Sequence, residues 1–319
     1  MASQIRFILS AAALGLSLGS TPLAAQTPYP HDVVTLVTHS SPGGGSDVFL
    51  RELARYLGPE LGVDIVVENV RGGSGARAMA QLATAPADGS RFYAATPTYI
   101  YTSLLSNSSY NYNDLDPLVN VFFAQEVVYT RADGPFSTLT EVINHARSDR
   151  GRWGAANPAS LERQALEQLK RVAAVDAAIV SHEGGGDLMI NVLNGTLDIG
   201  VGEAQEIRSQ IDAGRLRVLA VFGAERMTEL PDVPTVRETG FDIVLRKFRG
   251  LAGPRGLPDD ISDAVSAAVQ RALDDPGYQN AYRDAMLIPA FMPRDEYRLF
   301  VADFGTETEA FLRESGVLQ

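Results

Sequence analysis

Three glycine-rich segments, each standing between a short β-rich run and a helical pattern, constrain this chain more than any other feature. They are Ser40-Ser41-Pro42-Gly43-Gly44-Gly45, Arg71-Gly72-Gly73-Ser74-Gly75 and Ser181-His182-Glu183-Gly184-Gly185-Gly186. A repeated strand, loop and helix order predicts parallel strands joined by crossover helices. The run Val33-Val34-Thr35-Leu36-Val37-Thr38 is apolar on both faces, as a strand covered from both sides must be. Ligands of open α/β sheets sit beyond the carboxyl ends of such strands. The first N–H groups of a helix lack internal partners, the helix dipole favours negative charge there, and glycine lets a ligand approach the backbone. Any one of these loops is equally a tight connection. Together they predict a shared anion or carboxylate cleft.

The same alternation predicts further strands over 64–68, 91–96, 127–129, 152–156, 177–180, 197–201 and 216–222. Helices are expected from Ser46 to the weak end at Gly58-Pro59, over 76–84, 139–146, 160–172, 187–193 and 203–213, with three more after Pro258. A chain of 319 residues exceeds the ~250–300 at which one core stops growing, so two lobes are expected. One takes residues 26–125 and 221–319, the other 126–220. The last helix is expected to pack back on the first lobe.

The amino-terminal segment, with Arg6, the apolar run Phe7 to Leu18 and the small residues up to Leu23-Ala24-Ala25, reads as an export signal cleaved near Ala25. The run is shorter than the ~20 residues a membrane span needs. Zero cysteines exclude disulfides, thiolate metal sites and cysteine nucleophiles. An exported chain without cysteine needs no oxidative folding, which fits a bacterial periplasm better than it fits a disulfide-dense secreted module. A formal charge of −12 argues against nucleic acid.

Catalytic templates fit poorly. Gly72-Gly73-Ser74-Gly75-Ala76 lacks the final glycine of a nucleophile elbow, Gly45 is followed by Ser46 and Asp47 rather than by a phosphate-loop lysine, and position 48 is Val where a dinucleotide fingerprint needs glycine. His31, His39, His145 and His182 show no metal-ligand spacing, so neither metal nor cofactor is expected. His39 and His182 lie beside glycine loops. Ser46 and Asp47 either cap a helix or touch a ligand, and Ser74, Thr96, Thr98, Asn157 and Ser160 either bind a carboxylate or finish turns.

Taken in order, Tyr29-Pro30, Ser41-Pro42-Gly43-Gly44-Gly45-Ser46-Asp47, Val67-Glu68-Asn69-x-x-Gly72-Gly73, Pro86-Ala87-Asp88-Gly89, Leu230-Pro231-Asp232-Val233-Pro234-Thr235, Gly240, Arg249-Gly250-Leu251 and Pro254-x-Gly256-x-Pro258 run through the whole mature chain. This order closely resembles the receptors of tripartite tricarboxylate transporters, the TctC or Bug proteins. The resemblance implies a two-lobe type II periplasmic binding fold that closes on its ligand like a hinged trap, a monomer, and a two-component membrane permease as partner. It implies binding without chemistry: a small carboxylate held by Ser41, Gly44, Gly45 and Ser46 of the first loop and by Gly72, Gly73 and Ser74 of the second. Thr96 and Thr98 match polar positions after the third strand, and Asn157 and Ser160 match the second-lobe loop. Other readings are a ligand-sensing partner of a membrane kinase and an exported hydrolase using the same cleft.

The departures concern specificity. Where the family usually reads P-Y-K-G, this chain reads Ser181-His182-Glu183-Gly184; the usual Asp is Asn191 and the usual Trp is Phe248. Facing the cleft beside Gly184 and Gly185, Glu183 would repel a second ligand carboxylate by ~1–4 kcal/mol at 4 Å and favour a cationic or donor-bearing far end, as in an amino acid. Facing solvent, it would do neither.

Overall fold

Val34, Leu36 and Val37 have no exposed surface, which is what the apolar run at 33–38 demands of its surroundings. The computed structural model describes residues 29–318; the expected export signal lies outside them. The chain opens with β1 (Val33–Thr38), α1 (Gly45–Leu61), β2 (Asp64–Asn69), α2 (Ala76–Ala83), β3 (Arg91–Ala95), α3 (Pro97–Leu105) and β4 (Leu115–Ala124). It continues through β5 (Glu126–Arg131), α4 (Leu139–Ser148), β6 (Gly151–Ala155), α5 (Leu161–Val172), β7 (Ala177–Ser181), α6 (Gly185–Leu193), β8 (Ile199–Glu203), α7 (Ala204–Asp212) and β9 (Leu216–Val221). It closes with β10 (Lys247–Pro254), α8 (Asp259–Asp274), α9 (Pro276–Asp284), β11 (Ile288–Met292) and α10 (Arg294–Glu314).

Two mixed sheets result, in the orders β11-β4-β10-β3-β1-β2 and β7-β6-β8-β5-β9. β1 lies parallel between β2 and β3, so the loops leaving β1 and β2 are neighbours. In the second sheet β6 lies parallel between β7 and β8, which places the loops leaving β6 and β7 side by side. Each sheet buries both faces. The first packs Leu36, Phe49 and Phe122 on one side and Tyr93, Tyr99 and Phe248 on the other; the second packs Trp153, Leu166 and Ile199 against one face and Tyr129, Leu188 and Ile207 against the other.

Five elements depart from expectation, one of them β11, a short strand where only helices were expected. α1 runs through Pro59 to Leu61, because a proline in the last turn removes a single bond and Gly62, at φ 70°, closes the helix by donating to Gly58 O and Pro59 O. α3 begins at Pro97 and buries every residue from Pro97 to Thr102, so it shows no amphipathic stripe. β4 carries Pro117, and β10 is broken by register shifts at Arg249/Gly250 and Leu251/Ala252, features that disguise a strand in sequence.

The chain passes from the first sheet to the second at Gln125, between β4 and β5, and returns to the first at Lys247. Phe222, Val236 and Ile243 join the core of the second sheet, so the return falls later than the expected switch at 221. α10 packs on β4 and α3 of the first sheet, as the sequence led us to expect. Among the described residues no helix is long and apolar enough to cross a membrane.

Candidate ligand-binding cleft

The first glycine loop is shaped by its own side chains. Asp47, in the first turn of α1, accepts from the Gly43 N–H at 2.9 Å through Oδ2, and through Oδ1 from the Asn69 amide at 2.9 Å and from Arg51. Those donors outweigh burial and keep the Asp47 carboxyl below its usual range. Ser46 is not free to cap: its Oγ receives a bond from the Arg249 guanidinium at 3.1 Å. The second loop is glycine-rich for backbone reasons. Gly72, Gly73, Ser74 and Gly75 have φ of 121°, 59°, 54° and 102°, and the Ser74 carbonyl accepts from Thr102 Oγ1 at 2.6 Å. This turn packs onto α3 and away from the cleft.

At the foot of the cleft, where both crossings between the sheets meet, lies a buried ion cluster. Lys247 opens β10 and Glu126 opens β5. The Lys247 ammonium reaches Glu126 Oε1 and Glu203 Oε1, each at 2.8 Å, and also Glu162 Oε1. Arg249 Nε donates to Glu203 Oε2 at 2.6 Å. Glu126, Glu162 and Glu203 offer oxygens all within 4.8 Å of one another, the geometry of a cation site, and Lys247 supplies the cation. Burial alone would drive the proton off Lys247, but the three carboxylates outweigh it and hold it charged. Burial raises Glu203, yet Arg249 and Lys247 outweigh that and bring it to about 2. Glu126 is pushed well up, chiefly by desolvation. Burial, then Lys247, lower His39 to about 4, so it is neutral.

A fourth glutamate bridges the lobes. The Gly45 N–H at the start of α1 donates to Glu206 Oε1 of α7. The carboxylate of this partly buried residue turns inward, its Oε2 shielded from solvent and without a hydrogen-bond partner. Desolvation, then Glu203, raise Glu206 to about 7. The position that helix α1 offers to an anion is thus taken by the chain's own carboxylate.

Of the residues expected at the site, Ser46, Thr96, Thr98, Asn157, Glu183, Gly184 and Gly185 line one cavity between the lobes, with His39, Ser40, Ala156, Glu162, Glu203, Glu206 and Lys247. Ser41, Gly44 and Gly45 stand beside it, pressed on by the second lobe: a side-chain carbon at Gly184 would lie 2.8 Å from Ser41 N. Gly72, Gly73 and Ser74 do not line it. Ser160 does not either, because its Oγ caps α5 by accepting from Arg163 N at 3.1 Å. Glu183 lines the cavity yet stays exposed, so solvent screens the charge the sequence reading stressed. Phe248 lies in the aromatic core with Tyr99, Tyr297 and Phe304, not in the cleft. The sequence reading missed Glu162, Glu203, Glu206 and Lys247. Their signal was charge set against apolar strands, since such residues are almost never fully buried unless paired.

The lobes are shut. About 20 Å³ remains between them, room for a water molecule. Arg71 of the second loop reaches Asp187 of α6 at 2.6 Å across the mouth, but both are half-exposed, so the pair adds ~0–1 kcal/mol. How closely the lobes approach is set where glycine meets backbone, at Gly184 against Ser41. Gly184→Ala is therefore expected to hold the lobes apart, which small-angle scattering reads as a larger radius of gyration than that of the parent protein; an unchanged radius would show that the contact is not limiting.

A model of the family described as the tripartite tricarboxylate transporter family receptor matches residues 49–317. Protein BugT of Bordetella pertussis is 27% identical over 307 residues, 93% of this chain and 93% of its own. The structure titled periplasmic binding protein BugD superposes with a TM-score of 0.86 at 22% identity, covering 91% of this chain and 99% of that one. An R. palustris protein solved with adipate superposes with a TM-score of 0.85 at 23% identity, covering 90% of this chain and 98% of the other.

Proposed function

The chain belongs to the tripartite tricarboxylate transporter receptor family, and from that premise we propose that it works in the periplasm. There it captures a small carboxylate-bearing molecule between its lobes and delivers it to a two-component membrane permease. The observation that carries this reading is the cavity at the carboxyl ends of strands from both sheets, where loops of both lobes meet. Thr96 is the N-cap residue of α3 and Gly184 that of α6, and neither helix start receives a side-chain hydrogen bond. Thr96 Oγ1 is buried and unpartnered. These groups suit a carboxylate end, with Thr98 and Asn157 beside them. A solved relative by fold was captured with adipate, an acid of this class.

Binding is coupled to motion. The shut cavity admits no organic acid, so the lobes part about the crossings at Gln125 and Lys247, and ligand contacts made from both sides favour reclosure. No bond is made or broken in this account.

Thermal denaturation of the protein against a panel of organic acids and amino acids tests it. A ligand at 100 times its dissociation constant adds ~2.7 kcal/mol. Stabilisation by at least one carboxylate-bearing compound is expected; stabilisation by uncharged compounds alone would refute the reading.

A further inference from the structure

The cavity is richer in acceptors than a receptor for a di- or tricarboxylate needs. Glu162, Glu203 and Glu206 line it with Lys247, and Glu126 and Arg249 join them from outside the lining through Lys247 and Glu203. Both cations are already engaged: Lys247 with three carboxylates, Arg249 with Glu203 and Ser46. Among the described residues that line the cavity, Lys247 is the one Lys or Arg. Two of the acids are partly relieved by holding protons, as their raised values imply.

Acceptors, meanwhile, are left over. Glu206 Oε2 and Glu162 Oε2 have no hydrogen-bond partner, and Glu126 reaches Lys247 through Oε1 alone; at the other end, independently of the acids, the buried Thr96 hydroxyl is unpartnered and free to donate. An ammonium brings three donors and a positive charge, and no acceptor. A second ligand carboxylate would bring more acceptors and more negative charge. The anion position at α1 is filled by Glu206, which leaves the starts of α3 and α6 for a single carboxylate.

We propose that the captured molecule is an amino-carboxylate: its carboxylate lies at the α3 and α6 end, and its ammonium enters between Glu206, Glu162 and Glu203. This names the ligand class for the receptor described above and rests on that reading. It moves the selective charge from Glu183, exposed at the rim, to the buried glutamates. Glu206 is the residue that discriminates, because its carboxylate is the one not matched by a cation. The charged and titratable groups around it are Glu203, Glu162, Glu126, Lys247, Arg249, His39 and Tyr129, with Glu183 at the rim.

The test pairs molecules of matched length and opposite far ends. Calorimetric titration compares 6-aminohexanoate, 4-aminobutyrate and L-lysine with adipate, succinate and malate, and with putrescine, which has no carboxylate. At least one amino-carboxylate is expected to bind tenfold or more tightly than every dicarboxylate. Its affinity should rise about tenfold from pH 6 to pH 8 as Glu206 ionises, whereas a dicarboxylate's would fall. Near pH 6.5, titration in two buffers of different ionisation enthalpy should read a proton released on binding. Glu206→Gln, which keeps the acceptor for Gly45, should lose both the pH dependence and the preference.

A dicarboxylate binding more tightly than all the amines overturns the proposal and leaves the receptor reading standing. Putrescine binding alone supports the ammonium position but overturns the carboxylate end and the receptor reading with it. Binding by none of the probes overturns both. Retention of the amine preference in Glu206→Gln removes Glu206 from its role and overturns the proposal as stated.

Discussion

Lys247→Met is expected to destabilise the folded protein by about 3–5 kcal/mol, the usual consequence of removing one partner from a buried ion pair. The ammonium of Lys247 is the common partner of Glu126, Glu162 and Glu203, residues no more than 3% exposed. Methionine fills a similar volume, so little of the loss would come from a cavity. The loss comes from carboxylates left in a dry space without a counter-charge, with Arg249 committed to Glu203. Protonation of Glu126, whose carboxyl already lies well above its usual range, offsets part of it. Differential scanning calorimetry at pH 7.5 should show the melting temperature falling by roughly 6–15 °C. A change equivalent to less than about 1 kcal/mol would mean that the three carboxylates share protons without needing Lys247, and the account of the cluster would fail. Because Lys247 stands in the first sheet and its three partners belong to the second lobe, the variant should also loosen the lobes against each other.

The parts that local pattern governs were legible. Val33–Thr38 reads as a buried parallel strand from its residues alone, and the loop, helix and strand that follow lie within a few residues of where periodicity puts them. The cleft was legible as a place, since glycine at the carboxyl ends of adjacent strands marks it. Its chemistry was not. Glu126, Glu162, Glu203 and Lys247 come from β5, α5, β8 and β10, and the pairing of β5 with β8 and of β4 with β10, with α5 packed on β8, brings them together. No local window contains that information. The second glycine loop stands outside the cavity lining, and its glycines have a second reason to be there. Its glycines answer to a run of positive φ angles, a backbone requirement that in sequence looks the same as room for a ligand. Ser160 shows the same ambiguity resolved toward capping.

Glu206→Gln is expected to make the protein more stable at pH 8 and to leave it nearly unchanged at pH 5. Glu206 is raised from 4.5 to about 7 by desolvation and by Glu203, so between those values the folded protein holds a proton that the unfolded chain has released. Stability therefore falls as pH rises through this window, and above pH 7 the full cost of about 3 kcal/mol is present. Glutamine keeps an oxygen for the Gly45 N–H and carries no charge, which removes that cost. Two other buried groups leave the comparison intact. Glu203, depressed to about 2, contributes stability that is lost only as pH falls from 4.5 toward 2. His39, depressed to about 4, contributes stability that is lost as pH falls below 6.5, and it does so equally in parent and variant. The difference between their melting curves thus isolates Glu206: a gain of about 6–9 °C at pH 8, shrinking to about 2 °C at pH 5. A variant no more stable than the parent at pH 8 would show that the Glu206 carboxylate is relieved by the protein itself, leaving no unmatched charge for a ligand to meet.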